Sequence, residues 1–434
     1  MRDNVLYCGF AKRDISPKEP AHLAGYAARW GKNPAKKVHD PLFVKAMYVK
    51  DRFSLLLISA DLCEISNANI IEKEIKSKTG IDAVILASTH THSGPYTEST
   101  LSNPNAFDEK WYNYFVSQAI DASKEAIKNS FEAKIKIAQG TVEGVGKNRR
   151  ANCSAIDNEL SLIYVKDCND IVRGMLINFA CHCTVLDANN NKISADYPAY
   201  IYNALRQKYD GVVVLFTNGA AGDINIGYSS DDSALGISMS FRSYEKAEEV
   251  ANRISRKVMD IISKEECTQI NDIEIIENDI LLPLKNGLPS LQEIAVKIDK
   301  RSEALYQNNS PEEKRKIELD IIYLKCIMDN IANVGNDTHC KIKVSLIKMG
   351  EFVFITFPLE MFCEIGIEIK EYAKSLGLNA VIIGYAGGYS GYLPTEEAYK
   401  QGGYEVEVSP FSEKAPEVLL NEVKNALYEI ANGL

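Results

Sequence analysis

Six short apolar runs constrain the fold of this chain more than any other feature. They are Phe53–Ala60 (FSLLLISA), Ala83–Ala87 (AVILA), Met175–Ala180 (MLINFA), Val212–Phe216 (VVVLF), Phe352–Phe357 (FVFITF) and Ala380–Gly384 (AVIIG). A strand with one wet face alternates apolar and polar residues, so near-continuous apolar runs of this length describe strands covered on both faces. Between them lie amphipathic patterns that cover such faces. Trp111, Phe115, Ala119, Ala122 and Ala126 share one side of a helix over about 109–128, and Ala247, Val250, Ala251, Ile254, Val258 and Ile261 do so over about 243–263. Met361, Ile365, Ile369 and Leu376 line a third helix, and Leu419, Val423 and Leu427 a last one.

Lys341–Lys348 alternates (KIKVSLIK) and is placed to pair with Phe352–Phe357 through Met349-Gly350-Glu351, with a further extended region over Asp272–Leu282. Hairpins exclude an all-parallel sheet. The stretch 290–332 is charged and helical, and reads as a helical hairpin broken near Asn308-Asn309-Ser310-Pro311, with Ser310 as cap and Pro311 in the first turn. No repeat or long linker divides the chain. The expectation is an α/β fold of mixed β-sheets, two packed sheets flanked by helices, forming one catalytic domain over 1–434 with the hairpin as an insertion on its rim.

Composition removes several function classes. A net charge of −10 opposes binding to nucleic acid and to anionic membrane surfaces. No apolar stretch reaches the roughly 20 residues of a membrane-crossing helix. The amino terminus lacks the basic-then-apolar layout of a secretory leader, and the 10 cysteines follow no framework spacing. A reduced, cytoplasmic protein is the expectation.

The chemistry-bearing residues sit behind the apolar runs. Thr89-His90-Thr91-His92-Ser93-Gly94-Pro95 follows Ala83–Ala87 and holds two of the chain's six histidines. His182 follows Met175–Ala180, and Asn218-Gly219-Ala220-Ala221-Gly222-Asp223 follows Val212–Phe216. Glu360 comes after Phe352–Phe357, and Tyr389 and Tyr392 come after Ala380–Gly384 through Gly387-Gly388. In α/β folds the crevice beyond the carboxyl ends of the strands is where ligands bind, and imidazole is the commonest metal ligand there. Each element also has a plainer reading. The paired histidines could be satisfied by backbone carbonyls, His182 by its core, and Glu360 could be a carboxylate at a helix start. Gly219–Gly222 lacks both nucleotide-binding spacings, and Asn148-Arg149-Arg150 reads equally as a solvated charge run. Cys181 and Cys183 flank His182 but alternate to the opposite face, as small buried apolar residues do.

Taken in order along the chain, these strings resemble the catalytic domain of the neutral/alkaline (non-lysosomal) ceramidases. The resemblance rests on Ala24-Gly25-Tyr26, Ser59-Ala60-Asp61, Thr89–Pro95, Asn148-Arg149, His182-Cys183-Thr184 and Asn218–Asn225, then on Pro358-Leu359-Glu360, Tyr392-Leu393-Pro394-Thr395 and Gly403-Tyr404-Glu405. It implies one Zn²⁺ held by His90, His182, Glu360 and Tyr392, with Arg149 and Tyr404 in the active site. The glycine-rich loop departs from the family pattern, with Asn225 of Ile224-Asn225-Ile226 standing where a serine is usual. The secretory leader and the immunoglobulin-like carboxyl-terminal domain of secreted members have no counterpart in the sequence.

The function expected from this is a zinc-dependent, ceramidase-like hydrolase of linear amides. Zinc-bound hydroxide would attack an N-acylated small molecule, His92 would carry the proton, and Arg149 and Tyr404 would polarise the carbonyl. Asp61, Asp196 and Asp223 are candidates to orient the imidazoles, and Asn218 and Asn225 to line the substrate loop. A zinc esterase or deacylase for a soluble acylated sugar, amino acid or peptide is the alternative, and a non-catalytic binding protein a more distant one.

Overall fold

The computed structural model describes residues 5–433 apart from 152, 266, 267, 271, 309, 335 and 336. Its described strands form three larger sheets and three two-stranded ones. The first sheet runs, in spatial order, Ala83–Ser88, Ser54–Ala60, Phe43–Lys50, Tyr7–Asp14 and Phe131–Glu132. The second runs Val213–Asn218, Val172–Phe179, Glu159–Lys166, Lys134–Thr141 and Thr268–Ile270. The third is Glu274–Pro283, His339–Met349, Phe352–Thr356 and Asn379–Ile383. Each larger sheet contains one parallel pair: Ser54–Ala60 with Ala83–Ser88, Val172–Phe179 with Val213–Asn218, and Phe352–Thr356 with Asn379–Ile383. The expected hairpin is present, with Met349 opposite Phe352, and the Asp272–Leu282 region adds a long antiparallel neighbour with Glu274 opposite Lys348.

All six apolar runs are strands, and the alternation of their side chains shows why each is apolar throughout. Leu55, Leu57, Ile85 and Ala87 of the first sheet meet Leu176 and Leu215 of the second and Phe354, Val381 and Ile383 of the third in one central core. The intervening residues face helices. Leu56, Ile58 and Leu86 pack with Ile71, Ile75, Trp111 and Phe115. Met175, Ile177 and Phe216 pack with Ile201, Val250, Ile254 and Val258. Val353, Ile355 and Ile382 pack with Ile365, Ile369, Leu419 and Val423. The architecture is therefore helix, sheet layer, sheet layer, helix. The expected pair of packed sheets is a pair of layers, one of which is made of two sheets. Those two meet without a ladder: the Asn178 amide donates to the Ile382 carbonyl at 2.9 Å, and the Gly384 N–H to the Asn218 carbonyl at 2.9 Å.

The charged stretch forms the helices Leu291–Gln307 and Pro311–Val334. Ser290 and Glu293 close a capping box on the first, and the Ser310 hydroxyl accepts from the Glu313 N–H at 3.4 Å on the second. Asn309 in the expected break lies outside the described residues, as do Met1–Asn4 of the amino terminus and Leu434. Among the described residues no helix is long and apolar enough to cross a membrane.

Candidate metal centre

Each carboxyl-terminal strand end of a parallel pair delivers a polar side chain to one place. His90 follows Ala83–Ser88, His182 follows Val172–Phe179, and Glu360 follows Phe352–Thr356. The three residues are 2%, 1% and 3% exposed, and a single carboxylate oxygen joins them. Glu360 Oε2 lies 3.4 Å from His90 Nε2 and 3.2 Å from His182 Nε2. The buried His182 Nε2 has no hydrogen-bond partner. A buried ring nitrogen without a partner is costly unless something else binds it.

Backbone carbonyls fix both imidazoles. His90 Nδ1 lies 2.9 Å from the Cys63 oxygen and His182 Nδ1 3.0 Å from the Ile224 oxygen. Each Nδ1 therefore carries the proton, and each Nε2 is turned toward Glu360 as an acceptor. This corrects the expectation that Asp61, Asp196 and Asp223 orient the rings. Asp61 is bound to Lys45 at 2.7 Å, to the Tyr202 hydroxyl at 2.8 Å and to the Phe43 N–H at 2.9 Å. Asp196 accepts from the backbone N–H groups of Val185, Leu186 and Tyr197. Asp223 accepts from the Cys363 N–H at 2.8 Å and the Asn148 amide at 2.6 Å. A carbonyl at the right depth does the same work with no buried charge, so the carboxylates are free to fasten the loops.

Asn218 is one such fastener. Its Oδ1 accepts from the Cys181 N–H at 3.1 Å and its amide reaches the Thr89 carbonyl at 3.4 Å, which joins the loops of His182 and His90. Gly222 packs so close to the third loop that a Cβ there would stand 2.4 Å from the Glu360 carbonyl. Asn225 is fully buried, its Oδ1 accepting from the N–H groups of Gly227 and Tyr228. It shapes a turn and is not among the residues that line the cavity beside the imidazoles.

Burial pulls His90 downward, but the Glu360 carboxylate, the Cys63 carbonyl and Glu64 together raise the ring above the ordinary imidazole range. Burial and Arg149 lower His182 to about 4. Burial opposes ionisation of Glu360, yet the two imidazoles hold it well below the usual carboxylate range. Two phenols complete its shell: Tyr389 donates to Oε1 at 2.6 Å and Tyr385 to Oε2 at 3.3 Å. Tyr385 also stacks on His90 with ring centroids 4.1 Å apart.

His92 Nε2 is 3.1 Å from His90 Nε2, and burial together with the neighbouring imidazoles lowers His92 well below the usual range. Its other nitrogen is buried without a partner. Gly25 (φ +91°) makes room for this ring, since a Cβ there would be 2.3 Å from His92 Cγ. Tyr392 is paired beside Glu360 in a two-stranded parallel bridge, and its hydroxyl accepts from Arg149 Nη2 at 3.2 Å. Arg149 also binds Glu405 at 2.6 Å, so its guanidinium is turned to Tyr392 and Glu405. Tyr404 is half-buried, with its hydroxyl 3.9 Å from Cys326 Sγ.

His90, His92, Glu360, Tyr392 and Tyr404 line one cavity of about 150 Å³, together with Tyr389, Glu64 and Glu98. Its outer wall includes Asp329, Asn330 and Asn333 of the helix Pro311–Val334, so the hairpin is part of the cavity as well as of the rim.

Cysteine, aspartate and glutamate also gather at Cys153, Asp223 and Glu364. There the Asn148 amide stands 2.6 Å from Asp223 Oδ2 and 3.3 Å from Cys153 Sγ, already satisfying the cluster. Cys63 lies 3.9 Å from the wrong nitrogen of His90, and burial raises its thiol. Cys181 and Cys183 are wholly buried in the core of the second sheet. The His90–His182–Glu360 group is the one whose nitrogens are presented to a shared point.

The neutral/alkaline non-lysosomal ceramidase amino-terminal family model matches residues 7–226. The chain belongs to that family. The curated neutral ceramidase of Pseudomonas aeruginosa is 21% identical, over 97% of this chain and 72% of that protein. The crystal structure of neutral ceramidase from Pseudomonas aeruginosa shares the fold at a TM-score of 0.77 with 18% identity, covering 100% of this chain and 75% of that one. A structure described as ceramidase complexed with C2 aligns at a TM-score of 0.75 with 17% identity, covering 100% of this chain and 76% of that one. In this family member the matched segment contains His90, His92, Arg149 and His182, while Glu360, Tyr392 and Tyr404 lie beyond it. The model match alone therefore spans only part of the centre, and the fold brings in the rest.

Proposed function

We propose that this protein is a zinc-dependent hydrolase of a linear amide bond in an N-acylated small molecule. The observation that carries the reading is the convergence of His90 Nε2 and His182 Nε2 on one oxygen of Glu360, with the buried His182 nitrogen lacking a hydrogen-bond partner. Two imidazoles and a carboxylate, with carbonyls behind each imidazole, are the donor set of a hydrolytic zinc site. Tyr392, beside Glu360 in the bridge, is the proposed fourth ligand. When bound, zinc supplies Lewis acidity, lowering the pKa of a coordinated water from about 15.7 to about 7.

The chain's own groups supply the rest. His92 stands against the ligand His90 at the cavity wall and is the proton acceptor, returning the proton to the leaving nitrogen as the C–N bond breaks. Tyr404 faces the same cavity and donates to the substrate carbonyl as negative charge develops. Arg149 acts through Tyr392, holding the phenol by its Nη2 while Glu405 anchors the guanidinium. Tyr385 and Tyr389 hold Glu360 in orientation through both its oxygens.

A panel of N-acyl amides and matched O-acyl esters, ceramide included, tests the reaction. The zinc-loaded protein is expected to cleave amides, with turnover lost in His90→Ala. Cleavage of esters alone overturns the amide assignment in favour of an esterase.

A further inference from the structure

His92 lacks the support that the other two imidazoles of the centre have. A carbonyl holds Nδ1 of His90 and of His182, whereas Nδ1 of His92 is buried without a hydrogen-bond partner. An imidazole that moves protons is ordinarily fixed through its second nitrogen. The His92 ring is therefore set by its backbone and by the walls around it, and two residues govern these. Arg29 is 7% exposed and donates to backbone carbonyls on three segments. Its Nη1 reaches the oxygens of His92 and of Ala24, the latter at 3.5 Å. Nε reaches Ala188 at 3.2 Å, and Nη2 reaches Asp187 at 3.1 Å and Asn190 at 3.0 Å. Only arginine carries so many donors in one rigid plane, and a buried cation is tolerated where hydrogen bonds satisfy it. Burial lowers Arg29 to about 10, which leaves it charged at neutral pH.

Those segments are the ones that shape the site. One carbonyl belongs to His92 itself, Ala24 precedes the Gly25 that makes room for its ring, and Asp187–Asn190 continue the loop that leaves His182. The Ala24 N–H donates to the Gly94 carbonyl at 2.9 Å, so the first two segments lie side by side and the guanidinium joins their carbonyls. Tyr26 extends the hold to the ring. It meets the His92 imidazole edge-on, with centroids 4.6 Å apart and planes at 68°, and Arg29 Cζ lies 4.8 Å from the phenol centroid. The Tyr26 hydroxyl donates to the Leu186 carbonyl and accepts from Arg242 Nη2, each at 2.7 Å. Tyr26 lines the cavity beside His92, whereas Arg29 does not, so Arg29 acts through the groups it binds.

We infer that Arg29 and Tyr26 are positioning residues for His92 and stand in for the hydrogen bond that its Nδ1 lacks: Arg29 fixes the backbone and Tyr26 the ring. This rests on the reading of His92 as the proton carrier of an amide hydrolase, and adds to it how that carrier is held.

The test is Arg29→Met in the zinc-loaded protein, which keeps the length of the side chain and removes its donors. With zinc content and KM close to those of the wild type, kcat should fall roughly 10²-fold, the loss that a misplaced catalytic group brings. Arg29→Lys, which keeps the charge and some donors, should fall between the two. In a His92→Ala background Arg29→Met should add little to the loss, because residues that act as a unit are not additive. Should circular dichroism show that Arg29→Met does not fold, Tyr26→Leu carries the same comparisons, and it should lose more than Tyr26→Phe, which keeps the ring. Unchanged kcat, loss of zinc, or full multiplication of the two losses in the double variant overturns the inference. If the wild type cleaves no amide, the hydrolase reading fails on its own. The NMR signal of the His92 ring, assigned by its absence from His92→Ala, then decides the positioning. Its displacement in Arg29→Met or Tyr26→Leu sustains the hold on the ring, and an unmoved signal overturns it.

Discussion

His90 holds the backbone at φ +66°, a left-handed conformation that costs a residue with a Cβ about 1–2 kcal/mol. Asp196 (φ +61°) and Tyr385 (φ +54°) share the strain, one at the mouth of the His182 loop and one stacked on His90. Strain of this kind concentrates at functional sites because surrounding contacts enforce it. Two roles for adjacent histidines follow. His90→Ala should abolish zinc binding and activity together, whereas His92→Ala should retain zinc and lose roughly 10²–10⁴ in kcat. Metal analysis beside kinetics separates them, and equal metal loss in both variants contradicts the division. Gly25→Ala should displace the His92 ring and lower kcat about 10²-fold with zinc retained, and unchanged turnover would show that the ring tolerates the shift. At this scale the motif residues were legible because THTHSGP and its successors are short and contiguous. Tyr385 and Glu64 were not, since a tyrosine or glutamate after a strand has no distinguishing pattern until the fold closes on it.

At the scale of elements, the strands covered on both faces were the easiest to read. The missed strands explain the limit: Glu159–Lys166 begins and ends with charged residues, Phe43–Lys50 ends on one, and its Lys45 is buried only because Asp61 binds it. A lysine in a strand reads as exposed until its partner is known. The helix Ala68–Thr79 was missed as well, and it performs a specific task. Glu72 Oε1 accepts from the Leu86 N–H at 2.8 Å, on the outer side of the edge strand Ala83–Ser88, where no neighbouring strand would otherwise satisfy it. Burial raises Glu72 to about 7 from an ordinary 4.5. A carboxyl with a raised folded-state pKa lends its full share of stability below about pH 4.5 and loses it as pH rises through about 7, by roughly 3 kcal/mol. Glu72→Gln keeps an acceptor and removes the titration. Denaturant unfolding near pH 5 and pH 8 should therefore show a smaller loss in the variant than in the wild type, by about 2–3 kcal/mol, and identical losses would refute the assignment.

Across the whole molecule, the site exists because each of three sheets contains a parallel pair whose carboxyl ends point to one crevice. Sequence could place each ligand behind a strand, but not show that the strands are parallel or that the three sheets share a core. Partner choice is a long-range property, and the joint between the second and third sheets is two hydrogen bonds rather than a pattern. The same arrangement predicts that metal ties the layers together. A ligand that binds only the folded state stabilises it in proportion to RT ln(1 + [L]/Kd), so saturating zinc should raise the melting temperature and a chelator should lower it. His182→Ala should erase the difference, and an equal zinc-dependent shift in that variant would place the stabilising ion elsewhere.

Anomalous diffraction at the zinc edge from a zinc-loaded crystal tests the central claim most directly. One strong peak is expected within about 2.0–2.3 Å of His90 Nε2, His182 Nε2 and a Glu360 oxygen. A peak at Cys153, Asp223 and Glu364 instead, or none between the imidazoles, would contradict it.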